Sequence, residues 1–304
     1  MGERDILHRQ ILRVPENFAD ASGLKLKKYG IKIDPKGLKV VYPYESYLDE
    51  KGKNRETFGD MRMLWTYELN GVEVDIALVG IETQTSVDWA MVPRIMRYEA
   101  QGYLNQTKDN PRQKCRPVIM IVLYFGEKPW NGPTTLRETI EYAEGTEDIL
   151  SPLVSDYKIH IVDFHDVTLE EIEAMPSDFR FYATVHYNLL HLHNQVPLPA
   201  VKDPELALKY VDLYNDGELE LDADFALEKL SQGGCAMNEL FKQFIAYEQG
   251  VALDQRYEEG REEGRQQERK ELAHKLLENG LPSYKIAEIL DVAQATVDAL
   301  LAEN

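Results

Sequence analysis

Residues 59–84 read Gly59-Asp60-Met61-Arg62-Met63-Leu64-Trp65-Thr66-Tyr67-Glu68-Leu69-Asn70-Gly71-Val72-Glu73-Val74-Asp75-Ile76-Ala77-Leu78-Val79-Gly80-Ile81-Glu82-Thr83-Gln84. Asn-Gly between two alternating runs signals a β-hairpin, because both residues tolerate the positive φ of a type I′ turn. The first arm sets Met61, Met63, Trp65, Tyr67 and Leu69 on one face. The second sets Val72, Val74, Ile76 and Leu78 on one face, and that face runs on through Gly80 to Glu82 and Gln84. An apolar stripe thus ends in a carboxylate and an amide roughly 6.5 Å apart along the strand. A buried carboxylate needs a cation or a shifted pKa. One reading joins Asp60 to Glu82 in a divalent-metal site suited to a hard ion. The other is a strand-end Glu that meets solvent. A strict two-residue turn pairs 69 with 72 and turns Asp60 away from Glu82, since paired residues share a face. Convergence therefore requires a bulge, expected between Asp60 and Met63 rather than at the turn.

Working outward, further stretches carry a resemblance: Asp5-Ile-Leu-His-Arg-Gln-Ile-Leu12, Glu16-Asn-Phe-Ala-Asp20, Gly80-Ile-Glu-Thr-Gln-Thr85, Asp88-Trp-Ala-Met-Val-Pro-Arg-Ile-Met-Arg-Tyr98 and Pro117 through Trp130. With Asp60 ahead of Glu82-x-Gln84, this ordered set resembles the Rpn recombination-promoting nucleases, also described as YhgA-like transposases. They belong to the PD-(D/E)XK nuclease superfamily. The resemblance implies an α/β fold with a restriction-endonuclease-like core, a mixed sheet flanked by helices, and an α-helical C-terminal region. It implies a metal-dependent DNA endonuclease that hydrolyses phosphodiesters in double-stranded DNA. Asp60 and Glu82 would hold Mg²⁺ (or Mn²⁺ or Ca²⁺), and Gln84 would be the third catalytic residue. Glu16, with Asp20 behind it, is the candidate first-helix acid; a solvated carboxylate favoured by the helix dipole is the plainer reading. Gln84 stands where the related signature carries Lys, and a neutral amide cannot acidify a water by its charge. A nuclease fold without catalysis, acting as a DNA-binding or oligomeric interaction protein, is the alternative.

Net charge is −19 over 304 residues, which looks hostile to DNA. The distribution is uneven: +2 over residues 1–130 and −21 over 131–304. Screening over about 8–10 Å separates the two halves, so the expectation is weak, salt-sensitive binding. Candidate DNA contacts are Arg94 and Arg97, three apart on one helix, together with Lys128, Lys27 and Lys28. Arg94 and Arg97 could equally pair with Asp88 or Glu99. No apolar run approaches the ~20 residues of a membrane helix. Cys115 and Cys235 have no metal or redox spacing. The expectation is a cytoplasmic protein with reduced thiols.

Along the chain, the pattern expects a helical start over 3–21 with Pro15 opening a turn, then a loop over 22–59 with one strand near Leu38–Tyr42. A helix capped by Ser86, with Asp88 in its first turn, should run to about Tyr103. Val118–Tyr124 should be a strand buried on both faces. A short helix at 134–144, a strand over Tyr157–Phe164 and helices around 168–174 and 177–194 follow. His186, His191 and His193 lack a completing ligand and are read as packing residues rather than a zinc site. The nuclease-like domain is placed at 1–195 and an acidic helical region at 196–250. A long Glu/Gly/Arg helix with a helix-turn-helix-like tail occupies 251–304. The tail's second helix lacks Lys and Arg, so the tail is expected to be a regulatory or association module, with homo-oligomers formed through the C-terminal helices, rather than a DNA reader.

Overall fold

Asn70 and Gly71 both adopt positive φ, 53° and 76°, the left-handed pair that a tight hairpin requires. Leu69 pairs with Val72 directly across that turn. The computed structural model describes residues 3–41, 46–48, 54–56, 61–192, 195–215 and 223–241, and then 272–273, 275–277, 281–290, 292, 294 and 297. The chain forms two compact units, Met1–Phe241 and Lys242–Asn304.

In chain order, the first unit contains α1 (Glu3–Leu12), α2 (Pro15–Leu26), β1 (Leu38–Val41), β2 (Ser46–Leu48), β3 (Asn54–Glu56), β4 (Met61–Leu69) and β5 (Val72–Gln84). Then come α3 (Met91–Thr107), β6 (Val118–Tyr124), α4 (Glu147–Leu150), β7 (His160–Asp163), α5 (Leu169–Glu173), α6 (Phe179–Leu190), α7 (Pro204–Tyr214) and α8 (Ala223–Gln232). Five strands form one mixed sheet in the order β1-β4-β5-β6-β7, and β2 pairs with β3 separately. β1, β4 and β5 are antiparallel, whereas β6 and β7 run parallel to β5. The sheet is flanked by helices, as the family resemblance implies.

The alternation of β5 and β6 sorts the layers. Met120 and Val122 face α3, packing with its Met91, Val92, Ile95 and Tyr98. These four recur at helical spacing, so one stripe of α3 is buried. The reverse face carries Thr83, which hydrogen-bonds His8 of α1. α2 starts with Pro15 at its first position, where a missing N–H costs nothing. Its Asn17 accepts a hydrogen bond from Phe179 N at the start of α6. α7 packs on α1. β6 is buried on both faces: Met120, Ile121, Val122 and Leu123 are fully inaccessible.

Four local expectations are corrected. The bulge exists, but between Trp65 and Thr66: Thr66 pairs with Asp75 and Trp65 with Ala77, leaving Ile76 unmatched. This is where the ribbon leaves the sheet, since the β1 ladder ends at Trp65 and the β6 ladder begins at Leu78. Below it, strand positions must fit neighbours on both sides; above it, the two-stranded tip twists on its own. Secondly, α3 starts at Met91, not Ser86. Asp88 lies before the helix and its Oδ1 accepts Ala90 N at 2.8 Å, a local turn that competes with helix formation. Thirdly, 134–144 contains only a 3-10 turn at Arg137–Thr139, because Glu138 reaches back to Thr134 N and Thr135 N. Fourthly, α2 continues to Leu26 and a second short hairpin, β2–β3, occupies part of the expected loop.

Within the second unit, a helix spans Ser283–Leu290. Ile286 and Ala287 are buried with Ala273 and Val297, against Leu276, Leu281, Leu290 and Val292. Most of the expected 247–277 helix, with its Glu258/Arg261 and Glu262/Arg265 pairs, lies outside the described residues.

Candidate active site

The site grows from the carboxyl end of β5, the central strand. Glu82 and Gln84 share a face two residues apart, and Gln84 Nε2 donates to Glu82 Oε1 at 2.7 Å. The same oxygen accepts Arg94 Nη1 from α3 at 3.3 Å. The other arm of that guanidinium, Nη2, stands 2.6 Å from Asp88 Oδ2. This second contact is a close charge pair without hydrogen-bond alignment, so Asp88 Oδ2 is buried with no hydrogen bond. One guanidinium therefore spans two carboxylates.

Only 13% of the Glu82 side chain is exposed. Burial pushes its carboxyl above the ordinary range, and Arg94, Gln84 and the charge of Arg9 pull it only part of the way back. The neighbouring Tyr98 hydroxyl is pushed up by burial and by the Glu82 charge. Arg62 shares the face of Glu82 by register, since it pairs with Gly80. It is buried, with its guanidinium 5.8 Å from the Tyr98 ring centroid. Gly80 makes room for this crossing: a Cβ there would lie 2.3 Å from Met120 Sδ and 3.4 Å from Arg62 Cγ.

Of the residues named from sequence, Glu82, Gln84 and Arg94 are brought together. Asp60 lies outside the described residues. Arg97 sits on α3 with its guanidinium 5.2 Å from the Tyr98 ring centroid. Lys128 is exposed after β6, in a turn whose carbonyl accepts the Tyr124 hydroxyl at 2.9 Å. Lys27 pairs with Glu171 at 2.6 Å, and Lys28 is exposed. Glu16 occupies the first turn of α2, exposed, where the helix dipole favours a carboxylate. Asp20 is used structurally: Oδ2 accepts Ser177 N at 3.0 Å and Ser177 Oγ at 2.5 Å.

The packing reading of the histidines holds for the two that are described. His186 is enclosed, stacked on Phe125 at 4.2 Å and bonded to the Tyr210 hydroxyl at 2.5 Å. His191 stacks on Tyr187 at 4.1 Å. His193 lies outside the described residues. Sequence reasoning missed Arg62 and Tyr98 as parts of the site, whereas the pairing of Arg94 with Asp88 that it left open is present. A signal existed for Arg62, a charge inside an otherwise apolar half-strand.

A five-stranded mixed sheet flanked by helices, with a half-buried Glu-x-Gln at the end of its central strand, is consistent with an α/β nuclease-like fold. A family model described as "Putative transposase, YhgA-like" matches residues 6–189, and the chain belongs to that family. Neither the curated proteins nor the solved structures include a match. No helix among the described residues is long and apolar enough to cross a membrane.

Proposed function

We propose that the chain is a metal-dependent DNA endonuclease, with a transposase-related role in recombination. The observation that carries this reading is a buried Glu82 held by Gln84 and Arg94 at the end of the central strand. Retaining a desolvated carboxylate there works against stability, which favours a chemical reason for it. By register, Met61 pairs with Ile81, the residue before Glu82.

The donor chemistry fits a hard cation. Glu82 offers a largely buried carboxylate, an oxygen donor of the kind a hard cation takes. Among the described residues no group of three His, Cys, Asp or Glu is assembled, so the set would be completed by Asp60, with Glu16 as the remaining candidate. A bound Mg²⁺, or Mn²⁺ or Ca²⁺ in its place, would supply Lewis-acid charge and a water of lowered pKa. Glu82 and Asp60 would hold it. Gln84 would orient the attacking water or a phosphate oxygen, and it adds no positive charge. Arg94 and Arg97 would meet the phosphates of double-stranded DNA, with Lys128, Lys27 and Lys28 as outlying contacts.

Plasmid DNA incubated with the purified chain and Mg²⁺, Mn²⁺ or EDTA tests this. Metal-dependent cutting should fall at least about 100-fold in Asp60→Ala and in Glu82→Ala. Cutting that survives both substitutions, or survives EDTA, overturns it. The rival reading, an inactive nuclease fold that binds DNA or assembles, is favoured by the occupation of Glu82 Oε1 by both an amide and a guanidinium. DNA binding without any metal-dependent cutting selects it. Association through the C-terminal helices is a separate part of the proposal: deletion of residues 251–304 should lower the mass in solution to that of a monomer.

A further inference from the structure

We infer that Arg94 is the internal counter-cation of this site, and that Asp88 is the second berth to which it moves when a divalent ion takes Glu82. The inference rests on the metal-dependent reading above. Its basis is the sharing of one guanidinium between two carboxylates. Nη1 reaches Glu82 Oε1 at 3.3 Å, while Nη2 stands closer to Asp88 Oδ2, at 2.6 Å. The longer contact is the one to release. The two carboxylates are on different elements, Glu82 in β5 and Asp88 in the turn before α3, where its other oxygen is tied to Ala90 N. Asp88 is therefore fixed by the backbone independently of Arg94.

A planar, five-donor guanidinium suits such sharing, whereas an ammonium can serve only one carboxylate well. Without a divalent ion, Arg94 neutralises a carboxylate that burial would otherwise leave uncompensated. With an ion on Glu82, two cations compete for one carboxylate at close range, and the repulsion favours Arg94 on Asp88 alone. Asp88 then acts as a positioning residue. It holds Arg94 beside the site, ready for a phosphate, instead of letting it block the ion.

The test is Mn²⁺ binding by the full-length chain without DNA, followed by electron paramagnetic resonance and so independent of cleavage. Glu82→Ala should lose the tight Mn²⁺ site. Arg94→Gln should bind Mn²⁺ about tenfold more tightly, and Arg94→Lys about threefold. Asp88→Asn should bind about fivefold more weakly, because Arg94 would then stay on Glu82. The double variant Arg94→Gln/Asp88→Asn should match Arg94→Gln alone, since Asp88 acts only through Arg94.

Unchanged Mn²⁺ affinity in Glu82→Ala sinks the metal reading and this inference together. Loss in Glu82→Ala combined with unchanged affinity in both Arg94 variants sinks this inference only. So does an Asp88→Asn penalty that persists in the Arg94→Gln background, which would make Asp88 a direct ligand. Thermal melting of each variant confirms that the comparison is among folded chains.

Discussion

The two faces at the end of β5 differ in how they treat a buried ionisable group. On one face, Glu82 is desolvated and held by Gln84 and Arg94. On the other, Thr83 bonds His8, whose pKa burial lowers from 6.5 to about 4. Behind His8, His186 is enclosed by Phe125, Phe164, Tyr210 and Tyr214, and burial holds its pKa well below the ordinary value. One side supports a charge with a cation; the other suppresses charge and packs. Adjacent residues of a strand reach these separate environments because the side-chain period is two. The reverse face is therefore expected to carry stability, and the Glu82 face to trade stability for chemistry.

The largest break in that contrast should come from Tyr210→Ala. Tyr210 is fully buried and bonded to His186, so its loss should cost about 3–5 kcal/mol in urea unfolding. Next comes pH. The unfolded His8 binds a proton near 6.5 and the folded one only near 4, so its contribution is whole above 6.5 and is lost as pH falls toward 4. That loss is on the order of 3 kcal/mol, and His186 adds to it in the same direction. His8→Gln should flatten this part of the stability curve. Glu82 has the opposite sign: with its carboxyl raised above 4.5, it disfavours the folded state as pH rises from that value to its folded pKa, and the penalty is constant beyond.

Gly80→Ala should cost about 1–3 kcal/mol, because Met120 must move from a filled site. It should also disturb cutting through Arg62 and Tyr98. Glu82→Gln should abolish cutting yet raise the melting temperature by about 2 °C at pH 7, since it removes a desolvated charge and keeps the shape. A fall in melting temperature would mean that the Arg94 pair outweighs the burial cost. The smallest effect belongs to Lys27→Ala, which breaks a half-exposed pair with Glu171. It should cost no more than about 0.5 kcal/mol.

Much of this arrangement was legible in the chain. Asn70-Gly71 specifies its turn locally, Pro15 its helix start, and Val118–Tyr124 its burial, because each depends on a few neighbouring residues. The Glu82 and Gln84 pairing follows from strand alternation alone. The need for a bulge was also legible, since a strict ladder sets position 60 and Glu82 on opposite faces. Its location was not. Nothing near Trp65 or Ile76 marks the bulge, which depends on where β1 and β6 stop supporting the ribbon. The start of α3 was missed because Asp88 forms a turn with Ala90 while it also meets Arg94 across the site.

By itself, then, the sequence determined the hairpin, the mixed α/β layering and the shared face of Glu82 and Gln84, all consequences of short-range periodicity and turn chemistry. Only the tertiary structure decided that Arg94 would bridge Glu82 to Asp88, that Arg62 would be buried over Tyr98, and that His186 would be enclosed by α7. Those outcomes depend on the sheet order and on the angle at which α3 and α7 cross other elements. Contacts between residues far apart in the chain form only where packing brings them within a few ångströms, and no local pattern encodes that distance.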